Sequence, residues 1–221
     1  MYKSIKKITQ TIKDSFNFIA YLIWLVIKYP LKTKLNKRSG KLVIIANGPS
    51  VKSDIENIKK NKGEAEFMVM NYMALDDVFY ELKPEHYCFV DPMFFQETHR
   101  KNEAQNLFRI LNEKVDWKLT IYIPIYYASK FNSFSNLKNK NINVIVINNC
   151  KYMGFEKSRN YFYKLGLSCP EIYSVVSMGI YIGIKSEYDC LNLYGVEHTF
   201  FDNLQVNEQN QLCAVYNHFY Q

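Results

Sequence analysis

The stretch KLVIIANGPSV, residues 41–51, indicates the fold class of this chain. Residues 42–46 form an apolar run without a polar break, which is typical of a strand covered on both faces. The run stops at Asn47-Gly48-Pro49-Ser50, and these residue types favour a turn. Such a turn either only ends the strand or also holds a ligand, and the stretch alone leaves both interpretations open.

From Lys41 onward, short β-rich runs alternate with stretches that are compatible with helices, which is the pattern of an α/β domain with a parallel sheet. Residues 175–188 have helical length, although glycines and β-branched residues lower their helix propensity. We predict a single Rossmann-like domain over residues 41–221 with a mostly parallel sheet. The predicted strands are residues 42–46, 67–71, 87–91, 120–126, 144–148 and 190–194.

The positive charge of the chain lies in its first 40 residues. The whole sequence has 28 basic and 21 acidic side chains, a net charge of +7. Residues 1–40 hold nine of the basic side chains and one acid, Asp14. The rest of the chain is nearly neutral, with 19 basic and 20 acidic side chains. This distribution argues against a nucleic-acid-binding face on the main domain and favours an anionic partner for the N-terminal segment.

The N-terminal segment has the periodicity of an amphipathic helix, with apolar residues spaced by three and four. Its most apolar part, residues 18–27, is short for a membrane span of roughly 20 residues. These apolar residues are Ile5, Ile8, Ile12, Phe16, Ile19, Ile23 and Val26.

Three interpretations of this segment compete: a signal peptide, a core or dimer-contact helix, and an interfacial membrane helix. No small-x-small cleavage site follows the apolar run, which weakens the first. The lysines together with Tyr21, Trp24 and Tyr29 favour the third. We therefore expect residues 1–38 to bind an anionic membrane surface, and the protein to lie peripherally at the cytoplasmic face of a bacterial inner membrane.

The cysteines fit a reducing compartment. There are five, an odd number, widely spaced and without a C-x-x-C pair, which predicts reduced thiols of a cytoplasmic protein and no zinc site. They are Cys88, Cys150, Cys169, Cys190 and Cys213.

Polar residues follow four of the predicted strands, and the carboxyl ends of parallel strands form the binding edge of such sheets. Neither G-x-G-x-x-G nor the phosphate-loop motif is present. Gly48 would let a ligand approach the backbone, and Ser50 could cap a helix and leave free N–H groups for a phosphate or hydroxyl. The four strand ends are Asn47-Gly48-Pro49-Ser50, Asn71-Tyr72, Asp91-Pro92 and Gly195-Val196-Glu197-His198.

Four segments resemble, in order and spacing, the bacterial lipooligosaccharide sialyltransferases. Their wider relatives include the motility-associated-factor glycosyltransferases and the 6-hydroxymethylpterin pyrophosphokinase-like domain. The segments are KLVIIANGPSV, NYMA, FVDPMFF and LNLYGVEHTFF, between residues 41 and 201. The resemblance implies a GT-A-like variant of the fold and metal-independent transfer of a sugar from a nucleotide donor, with CMP favoured. The implied acceptor is a surface glycan such as lipooligosaccharide, capsule or O-antigen.

The resemblance also implies which residues bind the donor. Three positions depart from the family pattern: Ala46 replaces a glycine, Asp91 replaces a threonine, and Thr199 replaces the tyrosine that holds the donor phosphate. We expect Tyr216 and Tyr220 to contact the phosphate instead. The implied nucleotide-binding residues are Asn47, Gly48, Pro49, Ser50, Asn71 and Asp91.

Histidine is the expected general base, because its pKa lies near neutrality. By the resemblance, His218 matches the first histidine of a catalytic lid, and the chain ends soon after it, which suggests a C-terminally incomplete domain. We predict His218, His198 and Glu197 as the catalytic residues, although His198 beside Glu197 is either an oriented base or a structural hydrogen-bond partner. His86 and His99 are predicted to be surface residues.

Two alternatives to a glycosyltransferase stay open. A pyrophosphokinase-like enzyme would use ATP and need acidic magnesium ligands, for which Asp91 and Glu197 are the candidates. A truncated nucleotide-binding protein without turnover is the other.

Overall fold

The computed structural model describes residues 2–28, 32–197 and 202–214. The chain begins with helix α1, continues through an α/β body, and includes a separate hairpin near its end. The helices are α1 Tyr2–Lys28, α2 Val51–Lys59, α3 Asp77–Leu82, α4 Lys101–Lys114, α5 Ala128–Ser135, α6 Glu156–Leu165 and α7 Val175–Lys185. The strands are β1 Lys41–Ile45, β2 Ala65–Met70, β3 His86–Cys88, β4 Leu119–Pro124, β5 Ile142–Ile147, β6 Cys190–Tyr194, β7 Leu204–Val206 and β8 Leu212–Ala214.

Six strands form one parallel sheet in the order β5-β4-β3-β2-β1-β6. The chain builds the sheet outward from β1 to β5 and then crosses back to add β6 on the other side of β1. The strand order therefore reverses beside β1, which is the place where open α/β sheets bind ligands. The predicted α/β class, the six strands and the preceding helix are confirmed.

Helices cover both faces of the sheet, which explains the unbroken apolar run in β1. Val43 and Ile45 point into a core shared with helices α2 to α5, whereas Leu42 and Ile44 point into a core shared with α7. Alternate side chains of a strand face opposite sides, so both sets are apolar here. All four side chains are fully buried.

Helix α7 tolerates its glycines because they allow close packing on the sheet. A Cβ on Gly183 would lie 2.6 Å from Leu191 Cδ2, and one on Gly179 would lie 3.0 Å from Met68 Sδ. Ser174 and Ser177 form a capping box at the start of the helix. The helix ends at Lys185, three residues before the predicted end.

Strand β3 is shorter than predicted, since it ends at Cys88 and the residues that follow it lead into a turn. The Asp91 carbonyl accepts the Phe94 N–H at 3.1 Å, and residues Pro92–Phe94 form a 3-10 turn. Asp91 therefore lies in the loop beyond the strand. Strand β4 likewise ends at Pro124, where a second 3-10 turn, Ile125–Tyr127, follows.

No helix among the described residues is long and apolar enough to cross a membrane. Helix α1 packs on the body through a small aromatic cluster that contains Tyr21, Cys150 and Tyr152. Strands β7 and β8 pair antiparallel outside the main sheet, as the hairpin-like sequence LQVNEQNQL suggests.

Candidate functional site

The turn after β1 is joined to the turn after β6, at the point where the strand order reverses. The Ala46 N–H donates to the Tyr194 carbonyl at 2.9 Å, and the Gly48 N–H donates to the Gly195 carbonyl at 3.0 Å. These bonds continue the parallel ladder beyond the two strands. The first and last of the predicted strand ends are thereby brought together.

Glu197 ties this junction to helix α2. Its Oε1 accepts the Ser50 backbone N–H at 2.7 Å. Its Oε2 lies so close to Gly48 that a Cβ on that glycine would be 1.6 Å away. Gly195 has φ +70°, and a Cβ there would lie 2.6 Å from Val51 Cγ2. The two turns therefore interlock only because both positions are glycine.

This arrangement corrects the expectation that the turn offers free N–H groups. The Val51 N–H donates to Gly48 O and the Lys52 N–H to Pro49 O, both at 3.2 Å, and the Ser53 N–H donates to Ser50 O at 3.0 Å. Ser50 is the N-cap residue, but its side chain makes no cap hydrogen bond. The Glu197 carboxylate occupies the position at the helix N-terminus that a phosphate would need.

The turn instead contains a buried hydrogen-bond acceptor. Asn47 Oδ1 is buried and has no hydrogen-bond partner within the described parts of the chain, and the same is true of Asn71 Oδ1 at the end of the neighbouring strand β2. A buried polar atom without a partner costs about 1–3 kcal/mol. A hydrogen-bond donor that reached either amide oxygen would remove this cost.

The backbone of Asn71 is held in an unusual conformation. Asn71 has φ +53°, a left-handed value that asparagine adopts more readily than most residues. Its carbonyl accepts a hydrogen bond from the Tyr87 hydroxyl at 2.6 Å. The Tyr87 hydroxyl also accepts the Ala74 N–H at 3.0 Å, so this tyrosine fixes the loop after β2.

Asp91 adds a carboxyl group beyond the next strand. Burial raises its pKa, and a hydrogen bond from the Asn71 side chain opposes that rise. Asn71 and Asp91 therefore lie together, as the predicted convergence of strand ends requires. The site thus contains two amide oxygens and one half-buried carboxyl group at the ends of three adjacent strands.

Two features near the site, a cation–π contact and a third buried amide oxygen, were not predicted from the sequence. The Arg100 guanidinium carbon lies 4.6 Å from the centroid of the Tyr72 ring, and Arg100 also pairs with Glu103. Asn149, after β5, carries a third buried amide oxygen without a partner among the described residues. The sequence signal for the latter was a pair of asparagines directly after a strand.

Several predicted residues lie outside the described residues: His198, Tyr216, His218 and Tyr220. Their expected catalytic and phosphate-binding roles therefore stay predictions. Among the residues that the structure describes, no group of three His, Cys, Asp or Glu side chains could hold a metal ion. Independence from metal also stays a prediction.

Comparison with known proteins gives a structural neighbour. No protein-family model matches the chain, and no curated protein matches it. The fold is similar to part of the MAf glycosyltransferase from Magnetospirillum magneticum AMB-1, with a TM-score of 0.50 and 16% sequence identity. The match covers 84% of this chain but 26% of that protein, so the chain spans about a quarter of its neighbour's length. The α/β fold is therefore one that a glycosyltransferase also contains.

Proposed function

We propose that this protein is a glycosyltransferase that binds the nucleoside of a nucleotide-sugar donor at the ends of β1, β2 and β3. The observation that carries the proposal is the pair of buried, unpartnered amide oxygens of Asn47 and Asn71. They lie at the reversal of strand order, beside the half-buried Asp91 carboxyl. The fold shared with part of a glycosyltransferase supports the same assignment.

The chemistry of these groups supports a nucleoside rather than a phosphate. Amide and carboxylate oxygens accept hydrogen bonds, so the bound group must donate them. Ribose hydroxyls are donors, and cytosine adds an exocyclic amino group. Uracil donates only through its ring N–H, so we favour a CMP-linked sugar over a uracil nucleotide. The donor phosphate would contact other residues, for which Tyr216 and Tyr220 remain our candidates.

Glu197 has a positioning role in this proposal. Its Oε1 accepts the Ser50 N–H, and its carboxylate complements the N-terminus of α2. The general base would then be a histidine, with His218 and His198 as the candidates. The hydrogen bond between Glu197 and the Ser50 N–H also argues against the rival pyrophosphokinase function, because Glu197 and Asp91 would there have to bind magnesium.

The proposed acceptor is a cell-surface glycan such as lipooligosaccharide, capsule or O-antigen. We place the reaction at the cytoplasmic face of a bacterial inner membrane. The five free cysteines, three of them buried, support a reducing compartment.

Calorimetric titration with CMP, UDP and ATP tests the donor site. We expect CMP to bind, and Asn47→Ala to weaken its affinity about tenfold, which equals about 1.4 kcal/mol. Asn71→Gly should have a similar effect, because glycine keeps the left-handed backbone and removes only the side chain. Asn57→Ala is the matched control, since Asn57 is exposed on α2.

The outcomes separate the candidate functions. Binding of CMP, together with release of CMP from a CMP-linked sugar whose sugar passes to water or to an acceptor, supports the glycosyltransferase, and binding without turnover supports the inactive nucleotide-binding protein. Magnesium-dependent binding of ATP alone would favour the pyrophosphokinase. Binding of none of the three nucleotides would contradict the proposal.

A further inference from the structure

Helix α1 carries a long apolar stripe that faces solvent. Each member lies three or four residues from another member, so they lie along one side of the helix. Each is between 52% and 77% exposed. They are Ile5, Ile8, Ile12, Phe16, Ile19, Ile23, Val26 and Ile27. Exposed apolar surface that is contiguous over a whole helix is typical of an interaction site.

The opposite side of α1 is already packed on the body. Tyr21 is fully buried, and its hydroxyl donates to the Leu167 carbonyl at 3.3 Å. The Phe18 ring lies 5.7 Å from the Phe162 ring, between centroids. Gly154 permits this contact, because a Cβ there would lie 2.8 Å from Phe18 Cβ. The stripe therefore cannot turn inward without breaking this aromatic contact.

The first part of α1 lies open to solvent, since residues 5–13 are all exposed. A helical segment of this length is marginal in water by itself, because few hydrogen bonds offset the cost of nucleation. Burial of the stripe would supply the missing stabilisation. The helix thus has one apolar side on the body and a second one available for a partner.

Charge indicates the chemistry of that partner. The helix carries lysines at positions 3, 6, 7, 13 and 28 and a single acid, Asp14. Helical spacing sets Lys6, Lys7 and Lys13 off the stripe, as in helices that lie in a lipid headgroup region. A second copy of α1 would bring the same positive charge and be repelled, whereas an anionic surface is attracted.

We propose that the stripe of α1 docks into the surface of an anionic lipid bilayer, with the helix lying between the bilayer and the body. Residues 5–27 would extend along the surface for roughly 33 Å, given a rise of about 1.5 Å per residue. The aromatic contact on the other side would hold the body in a fixed orientation. This inference deepens the membrane placement given under the proposed function and does not depend on the identity of the donor.

Vesicle co-sedimentation of the full-length protein tests the proposal. We expect binding to vesicles that contain phosphatidylglycerol and at least tenfold weaker binding to pure phosphatidylcholine. The double variant Ile12→Glu/Ile19→Glu should lose binding to the anionic vesicles at least tenfold. Ile184→Glu is the matched control, because Ile184 is an exposed isoleucine, 66% accessible, on the body. The control variant should bind as the wild type does.

Several results would overturn the proposal. They are equal binding by the double variant and the wild type, no binding to anionic vesicles, and a lipid-free dimer in light scattering that the double variant abolishes. The last result would identify a second copy as the partner. Nucleotide titration of the same samples separates this outcome from failure of the proposed enzymatic function, because the variants leave the strand ends unchanged.

Discussion

The Glu197 carboxylate accepts the Ser50 backbone N–H at 2.7 Å, so a residue after the last strand of the sheet holds the turn after the first. The two residues are 147 positions apart in the sequence. This contact makes the shape of the candidate donor site depend on closure of the whole sheet. It also places a negative charge where the sequence suggested a free helix N-terminus.

Substitution of Glu197 should separate a positioning role from a catalytic one. Glu197→Ala leaves the Ser50 N–H without its acceptor and should lower the free energy of unfolding by about 1–3 kcal/mol. Glu197→Gln keeps an acceptor oxygen and loses only the charge beside α2, which should cost about 0.3–1 kcal/mol. Urea denaturation measures both.

Donor turnover by the Glu197→Gln variant gives the second readout. If Glu197 is a positioning residue, kcat of the variant should stay within about threefold of the wild-type value. Loss of a general base typically lowers kcat about 10²–10⁴-fold. A fall of that size with unchanged stability would contradict the positioning role and support Glu197 as a catalytic residue.

Gly48 should not tolerate even alanine. The added Cβ would meet Glu197 Oε2 at 1.6 Å and the Gly195 carbonyl oxygen at 2.6 Å. Gly48→Ala should therefore destabilise the protein by about 3 kcal/mol, at the upper end of overpacking costs. The double variant Gly48→Ala/Glu197→Ala should lose less than the sum of the single variants, because the shorter side chain relieves one clash but the carbonyl contact remains.

Gly63→Ala is the control for this measurement. Gly63 has φ +88°, and a methyl group added there would have nothing within 4 Å, so alanine meets backbone strain without a clash. Gly63→Ala should lower the free energy of unfolding by about 1–2 kcal/mol. Equal losses at both glycines in thermal or urea unfolding would contradict the steric interpretation of the interlocked turns.

Much of the fold could be predicted from the sequence because its determinants are local. The apolar run of β1 indicated burial on both faces, and the polar residues after four of the six predicted strands indicated one binding edge. Asn71 and Asp91 do lie together. The boundaries of β3 were wrong, since the strand ends at Cys88 and the last three residues expected in it lie in the connection to the 3-10 turn that starts at Pro92.

The missed features depend on residues that are distant in the sequence. His86 was expected at the surface, yet it is 2% exposed and contacts Glu66, Tyr122 and Tyr188. No local sequence pattern predicts that His86 finds three polar partners, because each partner comes from a different strand or loop. The stripe on α1 has the same periodicity as a buried face, so periodicity alone could not tell which side of the helix packs on the body.

Asp91 should make stability depend on pH. Its pKa is raised by burial, so the native state holds the proton more tightly than the unfolded state does. Stability is then greatest below the ordinary pKa of about 3.9 and falls as the pH rises through the raised native pKa. Asp91→Asn should remove this fall, because asparagine does not ionise.

Urea denaturation at several pH values measures the effect of Asp91→Asn. We expect the variant to gain stability relative to the wild type as the pH rises, while its affinity for CMP falls about tenfold with the loss of a charged acceptor. A variant that is less stable than the wild type at neutral pH would show that the carboxylate is favourably paired in the free protein.

Glu66 should have the opposite pH dependence at the opposite end of the strands. Its pKa is lowered to about 2, mainly by the hydrogen bond from His86 and further by the hydrogen bond from Tyr188. Together these bonds outweigh burial, which raises the pKa. Glu66 Oε2 lies 2.7 Å from His86 Nε2, and Oε1 lies 3.1 Å from the Arg38 guanidinium. Arg38 belongs to the segment that links α1 to the body, so this cluster fastens the linker to β2 and β3.

Because the native pKa of Glu66 is below its ordinary value of about 4.3, its contribution is present above that pH and is lost as the pH falls toward 2. The contribution should be about 2–3 kcal/mol. Glu66→Gln should remove it at neutral pH and flatten the acid limb of the stability curve, whereas Glu64→Gln, at an exposed neighbouring position, should leave both unchanged. Identical acid limbs for wild type and Glu66→Gln in urea denaturation would show that other carboxylates control unfolding in acid.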